Sequence, residues 1–103
     1  MSKFNIGADE WPGISKLVEE SGELLQVAGR VVQIAGMNGD VRRHWDGSDL
    51  VDDLEKEMAD VFAAIDFVTD HAGLNRQRIL DRATAKRALY DHWHAEQKNK
   101  ETK

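Results

Sequence analysis

The chain has 103 residues, no cysteine and a formal net charge of −5, from 19 acids against 14 Lys and Arg. That length gives one small domain, and a lone helical unit of this size buries so modest a core that association is expected. The missing cysteines exclude a disulfide framework and thiolate metal sites, the acidic balance argues against nucleic acid as a partner, and the lack of a long apolar run or signal-like N-terminus predicts a soluble cytoplasmic protein with no membrane partner.

Residues 1–13 read as an arm ending in Trp11-Pro12-Gly13. Apolar residues at helical spacing predict a first helix from about Ile14 to about Ala35, with Ser15 as its N-cap. Gly22, Gly29 and Gly36 recur along it every seven residues, a stripe that either admits a close helical neighbour or is incidental. The connection from Gly36 to Gly47 is longer than helix connections usually are and carries Arg42, Arg43, His44 and Trp45. It reads equally as a lid over an anionic, ring-bearing ligand and as a solvated loop with one packed Trp. A second helix starts near Ser48, with Asp49, Asp52 and Asp53 in its first turn, where the helix dipole favours anions. It stops at Ala72-Gly73-Leu74, a sequence suited to a Schellman end. A third helix starts from an Asn75 cap and runs to about Glu96, followed by a polar, flexible tail from Gln97 to Lys103. No strand-like alternation, repeat or low-complexity tract interrupts this order. The expected fold is all-α, one domain of three main helices in an antiparallel bundle.

Two pairs of acids stand where apolar residues should be. An α-helix turns by roughly 100° per residue. Leu17, Leu24, Val27, Ala28, Val31 and Ile34 then form one apolar arc on the first helix, with Glu20 inside it and Glu23 at its edge. On the second, Leu50, Leu54, Val61, Ala64, Ile65 and Val68 form the arc, with Glu57 in its middle and Asp60 at its edge. Carboxylates on a packing face are costly unless something pairs with them. Pairs at i,i+3 on two facing helices offer several oxygens to one or two hard cations, which suits Mg²⁺ or Mn²⁺ and, through the metal, a nucleoside triphosphate. Setting these four acids aside nearly balances the remaining charge, so the negative excess sits largely in the proposed site.

Other metal chemistries fail on specific residues. None of His44, His71, His92 and His94 follows a Glu by three residues, as helical di-iron sites require. No EF-hand loop is present, and no pair of histidines has the helical spacing of a zinc site. The third helix is basic near its start. Arg82 and Lys86 fall near Ile79, Leu89, Tyr90 and Trp93, on the side that should pack inward, and so are its candidates for phosphate binding. The alternative is that they snorkel or pair with acids of the second helix.

The order Glu-Glu-x-x-Glu, about thirty residues, then Glu-x-x-Asp resembles the MazG-like all-α NTP pyrophosphatases. The resemblance is carried by Lys16-Leu17-Val18-Glu19-Glu20-Ser21-Gly22-Glu23-Leu24 and by Leu54-Glu55-Lys56-Glu57-Met58-Ala59-Asp60-Val61. It implies a four-helix core completed between protomers, a homodimer or homotetramer, and Mg²⁺-dependent hydrolysis of a (d)NTP to the monophosphate and pyrophosphate. Carried onto this chain, Glu20, Glu23, Glu57 and Asp60 become metal ligands. Glu19 and Glu20 become the catalytic acids that orient water and take its proton, with Asp53 behind Glu57. Attack by metal-activated water falls on the α-phosphorus. Relatives with a late Lys followed four residues on by Asn have no full counterpart here, since Tyr90 stands four after Lys86. Substrate binding then falls to Lys86 and Arg82, with Trp11 and Trp45 as the candidates for stacking on a base. Two alternatives share these residues: a phosphoribosyl-ATP pyrophosphohydrolase, and a non-catalytic helical module that senses nucleotide.

Overall fold

The computed structural model describes residue 6, residues 10–43 and residues 46–101. Among these residues are three α-helices and no strand: α1 (Ile14–Gly36), α2 (Leu50–His71) and α3 (Arg76–Glu101). None is long and apolar enough to cross a membrane.

Each helix end has an identifiable chemical cause. Gly13, not Ser15, stands at the N-cap of α1, with φ 87° and no side-chain cap. An added Cβ at Gly13 would lie 2.6 Å from Phe67 Cδ1 and 3.1 Å from Val68 Cγ2, so the close approach of this turn to α2 requires glycine. The C-terminus of α1 is a Schellman motif in which Asn38 takes the left-handed position, φ 58°. The Gly39 amide donates to the Ile34 carbonyl at 2.8 Å and the Asn38 amide to the Ala35 carbonyl at 3.1 Å. Asp49 caps α2 rather than lying in its first turn, its Oδ1 accepting from the amides of Val51 at 3.0 Å and Asp52 at 3.2 Å. The expected Schellman end of α2 is present, with Gly73 at φ 69° and the Leu74 amide donating to the Thr69 carbonyl at 3.1 Å. Asn75 caps α3 by accepting from the Arg78 amide at 3.0 Å. The helix continues past Glu96 to Glu101, with Lys98 and Lys100 complementing the dipole in its last turn.

Helices α1 and α2 form an antiparallel hairpin: Gly13 at the start of one meets Val68 near the end of the other. Leu17, Leu24, Val27, Val31 and Ile34 are half-buried along the seam. They face the stripe of α2 on which Leu50, Ala64 and Val68 are buried. Ile65 lies outside this seam at 37% exposure, because one residue beyond Ala64 rotates it away from α1, toward a cavity that it lines with Arg76, Ile79 and Leu80 of α3. The connection between the helices is closed by the Leu50 amide donating to the Val41 carbonyl at 2.9 Å and by Arg42 Nη1 against Asp49 Oδ2 at 3.5 Å.

Helix α3 leaves this hairpin rather than covering it. Arg76 spans the elbow, 2.7 Å from Asp66 Oδ1 and 2.6 Å from Asp70 Oδ1. Beyond it every described residue of α3 is exposed, so the expected inward packing of Ile79, Leu89, Tyr90 and Trp93 does not occur within the single chain. The molecule measures 54 × 37 × 14 Å with a radius of gyration of 17.5 Å, against about 13 Å for a compact chain of 100 residues.

Candidate metal centre and adjoining cavity

The seam between α1 and α2 is apolar except at one level. Glu20 and Glu57 sit at stripe positions and are half-buried, while Glu23 and Asp60, at the stripe edges, are exposed. Helical spacing therefore delivers two acids from each helix to the same height. One carboxylate oxygen each from Glu20, Glu23 and Glu57 lie within 4.8 Å of one another.

This convergence is electrostatically unfavourable as it stands. Oε2 of Glu20 and Oε2 of Glu57 are buried and have no hydrogen-bond partner. Among the described residues no Lys or Arg forms an ion pair with Glu20, Glu23 or Glu57; the cations of the hairpin are engaged elsewhere, Lys16 with Glu19 and Lys56 with Asp52. Burial raises the Glu20 carboxyl above its ordinary value, and the nearby charges of Glu23 and Asp60 add to the effect. Glu57 is raised for the same leading reason, followed by Glu23, Asp60 and then Asp53. A buried polar atom without a partner costs free energy. Acceptor-only carboxylates cannot satisfy each other when ionised. A divalent cation answers both problems, and an all-oxygen donor set suits a hard one.

Asp60 is not one of the three converging groups. It stands beside them, acting on Glu20 and Glu57 through its charge, and shares with Glu20 the wall of a cavity of about 300 Å³. Glu19 points to the outer side of α1, where it accepts from Lys16 Nζ at 3.2 Å. Trp11 is exposed, and its carbonyl accepts from the Ile14 amide at 3.2 Å. Trp45 and His44 lie outside the described residues. Arg82 and Lys86 line a different cavity, of about 420 Å³, alongside Arg78 and Ile79 on α3. The carboxylate cavity and the α3 cavity share no lining residue.

Two residues at the carboxylate cavity had no functional role from the sequence alone, Lys16 and Phe67. Their signal was positional: Lys16 precedes Glu20 by four residues and Phe67 follows Asp60 by seven, each on the same helical face as the acid. The glycine stripe Gly22, Gly29 and Gly36 has nothing within 4 Å of an added Cβ, so these positions are open in the chain. Compared with known proteins, the chain matches no family model, no curated protein and no solved structure.

Proposed function

We propose that this chain is a divalent-metal-dependent nucleoside triphosphate pyrophosphohydrolase, converting a (d)NTP and water to the (d)NMP and pyrophosphate. The observation that carries the reading is the pair of buried, partnerless Oε2 atoms on Glu20 and Glu57, converging with Glu23 beside a cavity that Glu20 lines. The resemblance of Glu19-Glu20-x-x-Glu23 and Glu57-x-x-Asp60 to the MazG-like motif supports it, since three acids of that motif, Glu20, Glu23 and Glu57, converge. Glu20, Glu23 and Glu57 would hold the ion, Mg²⁺ or Mn²⁺, with Asp60 completing the set. A bound divalent cation neutralises phosphate charge and makes water a stronger nucleophile.

The residues themselves divide the remaining work. Water attacks the α-phosphorus, the bridging P–O bond to the β-phosphate breaks, and pyrophosphate leaves with the electron pair. Glu20 accepts the proton released by the water; Glu19, the other acid assigned to this step from the sequence, is paired with Lys16 on the outer side of α1 and stands outside it. Arg82 and Lys86 belong to this reading as phosphate-binding cations only if α3 is brought to the carboxylates in a homodimer or homotetramer. A nucleotide substrate goes with a cytoplasmic location.

The test is pyrophosphate release from a panel of canonical and modified NTPs and dNTPs, with Mg²⁺ and with chelator. Chelator-sensitive release that disappears in Glu57→Gln, with helicity retained, is expected. No release from any nucleotide overturns the NTP pyrophosphohydrolase and leaves the phosphoribosyl-ATP substrate or the nucleotide-sensing module. If Mg²⁺-dependent nucleotide binding survives without turnover, the chain is a nucleotide-sensing module.

A further inference from the structure

Of the four acids, Glu20 and Asp60 line the cavity beside the metal centre. From Glu20 and Asp60 it extends between the start of α1 and the middle of α2, past Lys16, to a wall made by Ile6, Ala63 and Phe67. One end is acidic, the rim carries a cation, and the far end is apolar.

Lys16 is free to serve a ligand. Its partner, Glu19, is an exposed i,i+3 acid at 3.2 Å, and such pairs contribute little to stability. Exchanging Glu19 for a phosphate oxygen therefore costs little and gains a charge-assisted hydrogen bond. Phe67, by contrast, is fixed. Its ring stacks on His71, with centroids 4.1 Å apart and planes at 23°. Its edge meets the Gly13 backbone so closely that any Cβ there would collide with it. A ring held from two sides makes a rigid wall.

Resting on the metal-site reading above, we propose that this cavity is the subsite for the sugar and base of the nucleotide. Lys16 holds the phosphate nearest that end, and Phe67 is the apolar wall against which the organic group packs. The same wall sets the selectivity. Among the described lining residues, Ile6, Ala63 and Phe67 offer no side-chain donor or acceptor to a base edge. A site built to hydrogen-bond its ligand rejects an analogue lacking that group by about 10⁴-fold or more, whereas an apolar pocket discriminates by only about 10²-fold. Bases of equal ring number, and ribose against deoxyribose, therefore differ by no more than about 10²-fold in kcat/KM.

The experiment measures binding of a non-hydrolysable α,β-methylene nucleotide and of inorganic triphosphate to the full chain in Mg²⁺, and kcat/KM across the nucleotide panel. Ala63→Phe fills the cavity from an exposed helical position. It is expected to weaken the nucleotide about tenfold or more, as loss of a well-filled apolar contact does, and to leave inorganic triphosphate unchanged. Lys16→Ala is expected to weaken both, and Lys16→Arg to restore both. Unchanged nucleotide affinity in Ala63→Phe, or discrimination of about 10³-fold between bases of equal ring number, overturns the subsite, since an apolar wall cannot supply it. Wild-type protein that binds neither probe in a Mg²⁺-dependent way overturns instead the metal-site reading beneath it.

Discussion

At the residue scale the site is defined by an imbalance, and the imbalance sets a sign. Glu20 and Glu57 bind protons more tightly in the folded chain than at the ordinary glutamate value of 4.5. Between that value and their raised values the folded state carries more protons than the unfolded state. Stability is then present in full below the ordinary value and is lost as pH rises through the raised ones. The melting temperature of the metal-free protein is accordingly expected to fall as pH climbs above about 4.5. Millimolar Mg²⁺ is expected to reverse the fall, because a ligand of the folded state stabilises it by mass action. Glu57→Gln removes one of the crowded charges. It should therefore melt above the wild type without metal at neutral pH and lose the response to Mg²⁺. A wild-type profile that is flat with pH and indifferent to Mg²⁺ in differential scanning fluorimetry would contradict the whole electrostatic account. The positions of these acids were legible in the sequence, since a carboxylate on an apolar arc announces itself by period alone. Lys16 and Phe67 were legible only as residues on the same helical faces as the acids, because nothing in their spacing says that a cavity opens between them.

At the scale of elements, cap chemistry decides how the hairpin is built. The Gly73 end of α2 and the Asn75 start of α3 could be read directly, because glycine past a last turn and asparagine before a first one have few other uses. The start of α1 could not. Ser15 has the preferred cap chemistry, yet Gly13 holds the position, because the packing of Phe67 and Val68 leaves no room there for a side chain. Tertiary contact overrode local preference. Gly13→Ala must therefore bear both a left-handed backbone and a collision with the Phe67 ring, an expected loss of about 1–3 kcal/mol. Asp49→Ala removes the oxygen that accepts from two amides at the start of α2, an expected loss of about 1 kcal/mol. For a domain of this size each kcal/mol lowers the melting temperature by about 4–8 °C, so the two variants should be ordered Gly13→Ala below Asp49→Ala below wild type. The reverse order would mean that the turn against Phe67 is less constrained than its geometry shows.

At the scale of the molecule, the chain is a hairpin with an uncovered arm. Helical periodicity announces that a helix has an apolar side but not which chain will cover it, and this is why α3 read as inward-packing yet stands exposed. The hairpin poses the same question on its outer side. Val18, Leu25 and Val32 recur every seven residues along α1 and are 69%, 72% and 73% exposed, a second apolar stripe opposite the carboxylate seam. Seven-residue spacing keeps such a stripe on one face over several turns, as helix–helix seams require. The proposal that the chain works as a homodimer or homotetramer rests on this stripe and on the unsupported length of α3. The expected outcome in light scattering is a mass that is a multiple of the 11.6 kDa chain at micromolar concentration. Leu25→Glu separates the alternatives. In a monomer that side chain is largely in water, and a surface substitution there changes stability by no more than about 0.5 kcal/mol. In an assembly sealed along the stripe it buries an unpaired charge, so the variant should fall to the mass of one chain and melt well below the wild type. A wild type already at the mass of one chain, with Leu25→Glu melting beside it, would place all of the chemistry on a single hairpin and leave Arg82 and Lys86 outside it.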